Sequence, residues 1–171
     1  MDELWDVTDG SGTPTGLTFQ RGAPDWPKGM FHVVAGTCAF RPDGTVLLTQ
    51  RAASKDFPLA WEFPAGSALA GESSREAAVR ELAEEAGLVV DTEDLALVGR
   101  FVDSAALFDV YVVRASGLEQ LKLDPAEVSD YQWVSVAEVE RRFRSGMMSG
   151  PWTVGLSALW DPFVQALGQD L

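Results

Sequence analysis

Residues 66–88 read GSALAGESSREAAVRELAEEAGL. Ser73 with Glu76 three residues on has the form of a capping box, and Gly87 suits the left-handed position just past a helix end. The stretch predicts a helix with both ends written in the chain. At about 100° per residue, Glu81, Glu84 and Glu85 fall within an arc of roughly 100°, and Ala78, Val79, Leu82, Ala83 and Ala86 take the opposite side. One face is expected to pack on a sheet while the other presents carboxylates. Like charges three and four residues apart destabilise a helix by roughly 0.2–0.5 kcal/mol per pair. The cluster therefore needs compensation. Turn-spaced carboxylates are the donors that hard divalent cations such as Mg²⁺ take; a solvated acidic face is the alternative.

Upstream, ELWDV and LTFQR read as two short strands around the turn TDGSGTPTG, and APDWPKGM as a Pro-punctuated loop. HVVAGTCAF and TVLLTQR are apolar, β-branched runs joined by RPDG, which has tight-hairpin chemistry. ASKDFPLAWEFPAGS leads into the acidic helix. Downstream come the strands LALVGRFV and ALFDVYVVRA, the loop SGLEQLKLDPAEVSD, the strand YQWVS, and a charged amphipathic helix over Val136–Arg144. In PWTVGLSALWDPFVQAL, residues Trp152, Leu156, Leu159, Trp160 and Phe163 recur at helical spacing, a packing face. This order predicts one α+β domain over residues 1–171, with helices packed on a mixed sheet.

Composition narrows the function. A 46% hydrophobic content marks a globular chain. Thirteen Lys and Arg against 26 Asp and Glu leave a net charge of −13, which argues against nucleic-acid polymers and anionic membranes as partners. It also repels a phosphorylated small molecule unless cations are supplied locally. Cys38 has no second cysteine to pair with. The start MDELWDVTDG has neither a basic end nor an apolar run, so no signal peptide is expected. No apolar run reaches the ~18–20 residues of a membrane span. A soluble cytoplasmic protein is the expectation.

The stretch over 66–88 also matches the Nudix box, G-x5-E-x7-R-E-U-x-E-E-x-G-U with U aliphatic, at every specified position: Gly66, Glu72, Arg80, Glu81, Leu82, Glu84, Glu85, Gly87 and Leu88. The chance of the single-residue-type positions matching is on the order of 10⁻⁸ per starting point. The chain resembles the Nudix hydrolases, and the element order is similar to that family's α/β/α sandwich. The resemblance implies that Glu81, Glu84 and Glu85 bind Mg²⁺ or Mn²⁺ with a backbone carbonyl near Ala65 and Gly66. It implies that Arg80 orients the glutamates and that Glu72 is structural, while Gly66 lets its loop approach the metal. The implied reaction is water attack on phosphorus in a nucleoside diphosphate-X substrate, chemistry that consists mostly of positioning and charge neutralisation. Many members are dimers, so a homodimer is open.

The flanks, roughly residues 4 to 140, resemble type 1 isopentenyl-diphosphate isomerase, which shares the superfamily. The resembling segments are TPTG, HVVAGTCAF, LLTQRAASKDFPLAW and EVSDYQWVSVAEV. That resemblance implies a rival activity, proton transfer on an isoprenoid diphosphate. Yet that enzyme's cysteine after the tryptophan is absent behind Trp61, and His32 is the only histidine. A Nudix-fold module that binds without turnover is a third reading. Arg51 and Lys55 stand where the isomerase branch holds the diphosphate. Glu127 in DPAEVSDYQW matches a glutamate that faces the active site there, so its side chain is expected to point at the box helix and to serve as metal ligand or base. Trp26, Phe31, Trp61 and Phe108 are aromatic enough to stack on a base but read as core. The features that mark ADP-ribose, dinucleoside-polyphosphate and NADH members are missing, so the substrate stays open.

Overall fold

The computed structural model describes residues 3–117 and 120–169; Leu118 and Glu119 of the expected loop over 116–130 lie outside them. The longest apolar run, β3 (His32–Phe40), becomes the central strand, because alternate side chains find cover on both faces. It runs parallel to β8 (Ala106–Arg114), from His32 opposite Ala106 to Phe40 opposite Arg114. β7 (Ala96–Asp103) flanks β8 antiparallel. On the other side, β3 meets β4 (Thr45–Arg51), which pairs with β5 (Trp61–Glu62) and β9 (Val128–Ser135). The path β5-β4-β3-β8-β7 is a mixed sheet.

RPDG does turn β3 into β4, yet the two strands are paired only at Phe40 and Val46 before they diverge. The opening in the sheet is filled by β6 (Ala65–Ser67), antiparallel to β3 with Ala35 opposite Gly66. The sequence reading of this stretch as a lead-in to the helix contained neither β5 nor β6. Both are too short to show a periodicity.

Helix α1 (Ser74–Ala86) covers one face, setting Ala77, Ala78, Leu82 and Ala86 against Ala35, Ala39, Leu47 and Tyr111. Helices α2 (Val136–Arg144) and α3 (Gly150–Gln169) cover the other, where Val139, Trp152, Leu156 and Phe163 meet Cys38, Phe40, Leu48 and Val110. The result is an α/β/α sandwich with a mixed sheet. The aromatic stripe of the last segment is core: Trp152 and Phe163 are fully buried, and the Trp152 indole donates to the Phe63 carbonyl at 3.0 Å. The two N-terminal strands, β1 (Leu4–Thr8) and β2 (Pro14–Gln20), form a separate hairpin tied to the main sheet by paired hydrogen bonds between Thr8 and Phe31. Among the described residues, no helix is long and apolar enough to cross a membrane.

Candidate active site

The acidic helix has the predicted ends. Ser73 Oγ accepts from the Glu76 amide, the Glu76 carboxylate accepts from the Ser73 amide, and Gly87 sits at φ 69°. Its sides are less cleanly divided than the helical wheel predicts. Glu84 is exposed and Glu81 half-buried, while Glu85 is buried; Val79 and Ala83, expected on the apolar face, are only half-buried. The reason is β6. It fits between α1 and β3 because Gly66 has no side chain, and a β-carbon there would collide with the Glu81 carboxylate. The helix therefore lies close enough to the sheet edge for Glu85 to point into the seam.

Arg80 fastens this arrangement. Its guanidinium donates to both oxygens of Glu72 at 2.9 Å, to Glu81 at 2.7 Å, to Glu84 at 3.1 Å and to the Ser67 carbonyl at 3.0 Å. The Glu84 pairing follows from the four-residue spacing. The Glu72 pairing, which is bidentate, needs the turn before the helix to fold back.

These side chains open on a cavity of about 380 Å³. Glu81, Glu84 and Glu85 line it from the helix, Arg51 and Lys55 from the end of β4 and the loop after it, and Asp124 and Glu127 from the loop before β9. Glu3 and Arg21, at the open end of the N-terminal hairpin, complete the rim. Glu127, Arg51 and Lys55, which the sequence places far from 66–88, thus share one cavity with the box glutamates. None of the three is idle. Lys55 pairs with Glu127 at 2.5 Å, and Arg51 donates to both oxygens of Glu62 at 2.8 and 3.1 Å.

The electrostatics are uneven. Burial pushes the Glu85 carboxyl well above its ordinary value, and the charges of Glu62, Glu81 and Glu127 push it further. Its Oε2 is buried with no hydrogen-bond partner. Burial also raises Glu81, against the pull of Arg80, and raises Glu62, against the pull of Arg51. As the side chains stand, no three Asp, Glu, His or Cys groups among the described residues converge into a ready cation cage. The donor set still fits Mg²⁺ or Mn²⁺. Such ions commonly take one or two protein carboxylates and fill the rest of their shell with water and substrate phosphates, and Glu85 Oε2 is an orphaned acceptor on a carboxyl that feels the charges of Glu62, Glu81 and Glu127.

Glu62 is the residue the sequence reading missed. Its signal is a single charge inside the apolar run WEFPA, since a carboxylate there must be buried and paired. Asp124 and the rim pair Glu3 and Arg21 carry no such signal. His32 stacks on Trp5 at 4.2 Å, and burial lowers its pKa to about 4. Cys38 is fully buried in β3, where burial raises its thiol. Neither lines the cavity. Trp61 is likewise core, lying under the Arg142 guanidinium.

Comparison with known proteins places this geometry. Residues 30–149 match the family model for the NUDIX domain. A Nudix hydrolase of Listeria monocytogenes, itself uncharacterised, is 33% identical over 147 residues, 84% of this chain and 86% of its own length. An isopentenyl-diphosphate Delta-isomerase of Shigella flexneri is 29% identical over 156 residues, covering 85% of this chain and 82% of the isomerase. The fold is similar to the crystal structure of DR0079 from Deinococcus radiodurans, with a TM-score of 0.74 at 20% identity over 92% of this chain and 99% of that one.

Proposed function

Because the chain belongs to the Nudix family, as a hydrolase of pyrophosphate-containing substrates, we propose that it hydrolyses a nucleoside diphosphate-X compound by attack of water on phosphorus. The carrying observation is Glu85: a buried carboxylate with an unpartnered oxygen, in one cavity with Glu81, Glu84 and Glu127. Leaving a buried acceptor unsatisfied costs roughly 1–3 kcal/mol, and more when it is charged. A fold keeps such a group where a cation or a proton completes it.

In this reading Glu81, Glu84 and Glu85, with a carbonyl at Ala65 or Gly66, hold Mg²⁺ or Mn²⁺. When bound, the ion neutralises the diphosphate and lowers the pKa of a coordinated water. The protein does the positioning. Arg80 keeps Glu81 and Glu84 in register through its hydrogen bonds to both. Arg51 and Lys55 offer positive charge at the cavity wall, where substrate phosphates would compete with Glu62 and Glu127 for them. Glu127 is released from Lys55 in that exchange and becomes free to accept a proton from the attacking water or to join the ion. Residues 1–171 act as one hydrolase domain, since the N-terminal hairpin supplies Glu3 and Arg21 to the same cavity.

The isomerase reading is disfavoured on two counts. It needs a cysteine in the cavity, and Cys38 is sealed in β3. It needs histidines around a metal, and His32 stacks on Trp5 instead. Product release from a panel of nucleoside diphosphate derivatives with Mg²⁺ or Mn²⁺ tests the proposal. Glu84→Gln, an exposed change that spares the fold, should lower turnover at least ~10²-fold. No phosphate product from any substrate, with a metal-induced rise in melting temperature intact, would leave a binding module in its place.

A further inference from the structure

Glu62 is buried and does not line the cavity of the box glutamates. A carboxylate so placed is costly unless it is paired. It belongs to β5, where it lies opposite Thr49 of β4, so Arg51 is its diagonal neighbour on the same face. The other edge of β5 is held by backbone hydrogen bonds from Trp61 to the Met147 carbonyl and from Ser149 to the Trp61 carbonyl. The buried Ser149 hydroxyl favours the charged form of the Glu62 carboxyl. The carboxylate is thus fixed from both sides.

Arg51 is constrained to match. Its Nη1 donates to both Glu62 oxygens at 2.8 and 3.1 Å, and its Nε donates to the Asp56 carbonyl at 2.6 Å. Among the described residues Nη2 makes no hydrogen bond, so one nitrogen of the fork is left over with its N–H donors. The loop that brings Asp56 to Nε carries Phe57 at φ 52° and Leu59 at φ 60°, left-handed conformations that bulky side chains avoid. The Arg51 backbone bonds Leu59 and Ala60 and keeps the loop there. Strain of this kind persists where the surroundings over-determine it, and it gathers at ligand clamps.

We infer that Glu62 is a positioning residue: it turns the Arg51 guanidinium so that Nη2 meets a phosphoryl oxygen of the substrate, and it stays paired meanwhile. The inference rests on this cavity being the diphosphate site. The competition for the two cations of the cavity wall is then unequal. In the Lys55 pair the Glu127 side chain is 39% exposed, so water and phosphate can replace it. In the Arg51 pair the Glu62 side chain is 7% exposed, and parting it would strand a buried charge. Phosphate therefore takes Lys55 outright, whereas Arg51 is shared, Nη1 to Glu62 and Nη2 to the substrate. A planar fork can serve two oxyanions in fixed directions, which an ammonium cannot. Without Glu62, a loose guanidinium shares its cavity with Glu85 and Glu127 and would turn to them.

The test measures binding of imidodiphosphate, whose P–N–P bridge resists hydrolysis, to the full chain by calorimetry in saturating Mg²⁺. Glu62→Gln keeps the shape but loosens the hold on Nη1, because a charged acceptor bonds roughly twice as strongly as a neutral one. Its affinity should fall about tenfold. Arg51→Lys keeps the charge, loses the fork, and should fall by about as much. The double variant decides between roles. If Glu62 acts through the guanidinium, Glu62→Gln costs no further affinity once Arg51 is replaced by Lys. Losses that multiply mean that Glu62 acts on the metal or on the fold, and overturn the inference. Wild-type affinity in either single variant overturns it too. Arg51→Lys retains a buried charge pair, so it decides even where Glu62→Gln does not fold. Nitrogen-15 NMR in EDTA gives a measurement free of phosphate and metal: the rotation that exchanges Arg51 Nη1 with Nη2 should be slow in wild type and fast in Glu62→Gln. Equal rates overturn the inference. Failure of the diphosphate reading itself shows differently, as a wild type that binds no imidodiphosphate while the rotation rates still differ, and the phosphate role of Glu62 falls with it.

Discussion

Replacing Glu85 by Gln keeps the side chain's shape and removes one charge from the least solvated corner of the cavity. The wild-type carboxylate is 6% exposed, has an unpartnered Oε2, and is held well above its ordinary 4.5 by burial and by Glu62, Glu81 and Glu127. Without metal, that charge is a cost to folding. A glutamine turns N–H donors toward the same carboxylates and escapes the penalty, so in EDTA the variant should be more stable by about 1–3 kcal/mol. For a chain of this size, that raises the melting temperature by roughly 2–10 °C. The sign with pH follows from linkage. A carboxyl whose folded pKa is raised contributes stability below its unfolded value, and that contribution is lost as the pH rises through the folded value. The advantage of Glu85→Gln should therefore be near zero at about pH 4 and grow toward about pH 8. Added Mg²⁺ or Mn²⁺ should reverse the order, since an ion present at about 100 times its dissociation constant stabilises wild type by roughly 2.7 kcal/mol, and the variant loses much of that gain. Thermal melts by circular dichroism across pH, in EDTA and in each metal, measure all of this. A variant less stable than wild type in EDTA near pH 8, or one with an undiminished metal response, would refute the reasoning.

Glu127→Gln should cut turnover at least ~10²-fold if the residue is the base, while melts in Mg²⁺ still show part of the wild-type rise. Gly66→Ala forces a methyl into the Glu81 carboxylate; steady-state assays should show a loss of about 10²-fold from misplacement, with ~1–3 kcal/mol of stability lost in urea titrations. Calcium should raise the melting temperature but support little turnover, because its looser coordination positions a diphosphate poorly.

The box and its helix were legible because their signals are local. A capping box, a terminal glycine and carboxylates three and four residues apart depend on neighbours within a few turns of one chain segment. The strands β3, β4, β7, β8 and β9 were legible for the same reason, as was the aromatic stripe of α3. Resemblance, not spacing, carried Arg51, Lys55 and Glu127 into the reading, and nothing in the sequence indicated that Lys55 and Glu127 would hold each other. The sequence by itself determined the helix, its ends and the chemical type of the cluster. Only the tertiary structure decided that β6 would part β3 from β4, that Gly66 would admit the helix edge, and that Glu85 would be the carboxylate driven into the seam with Glu62. Burial is a property of what packs around a residue. A carboxylate's environment is therefore set by segments as distant as residues 62, 66 and 127, whose meeting no single stretch of chain encodes.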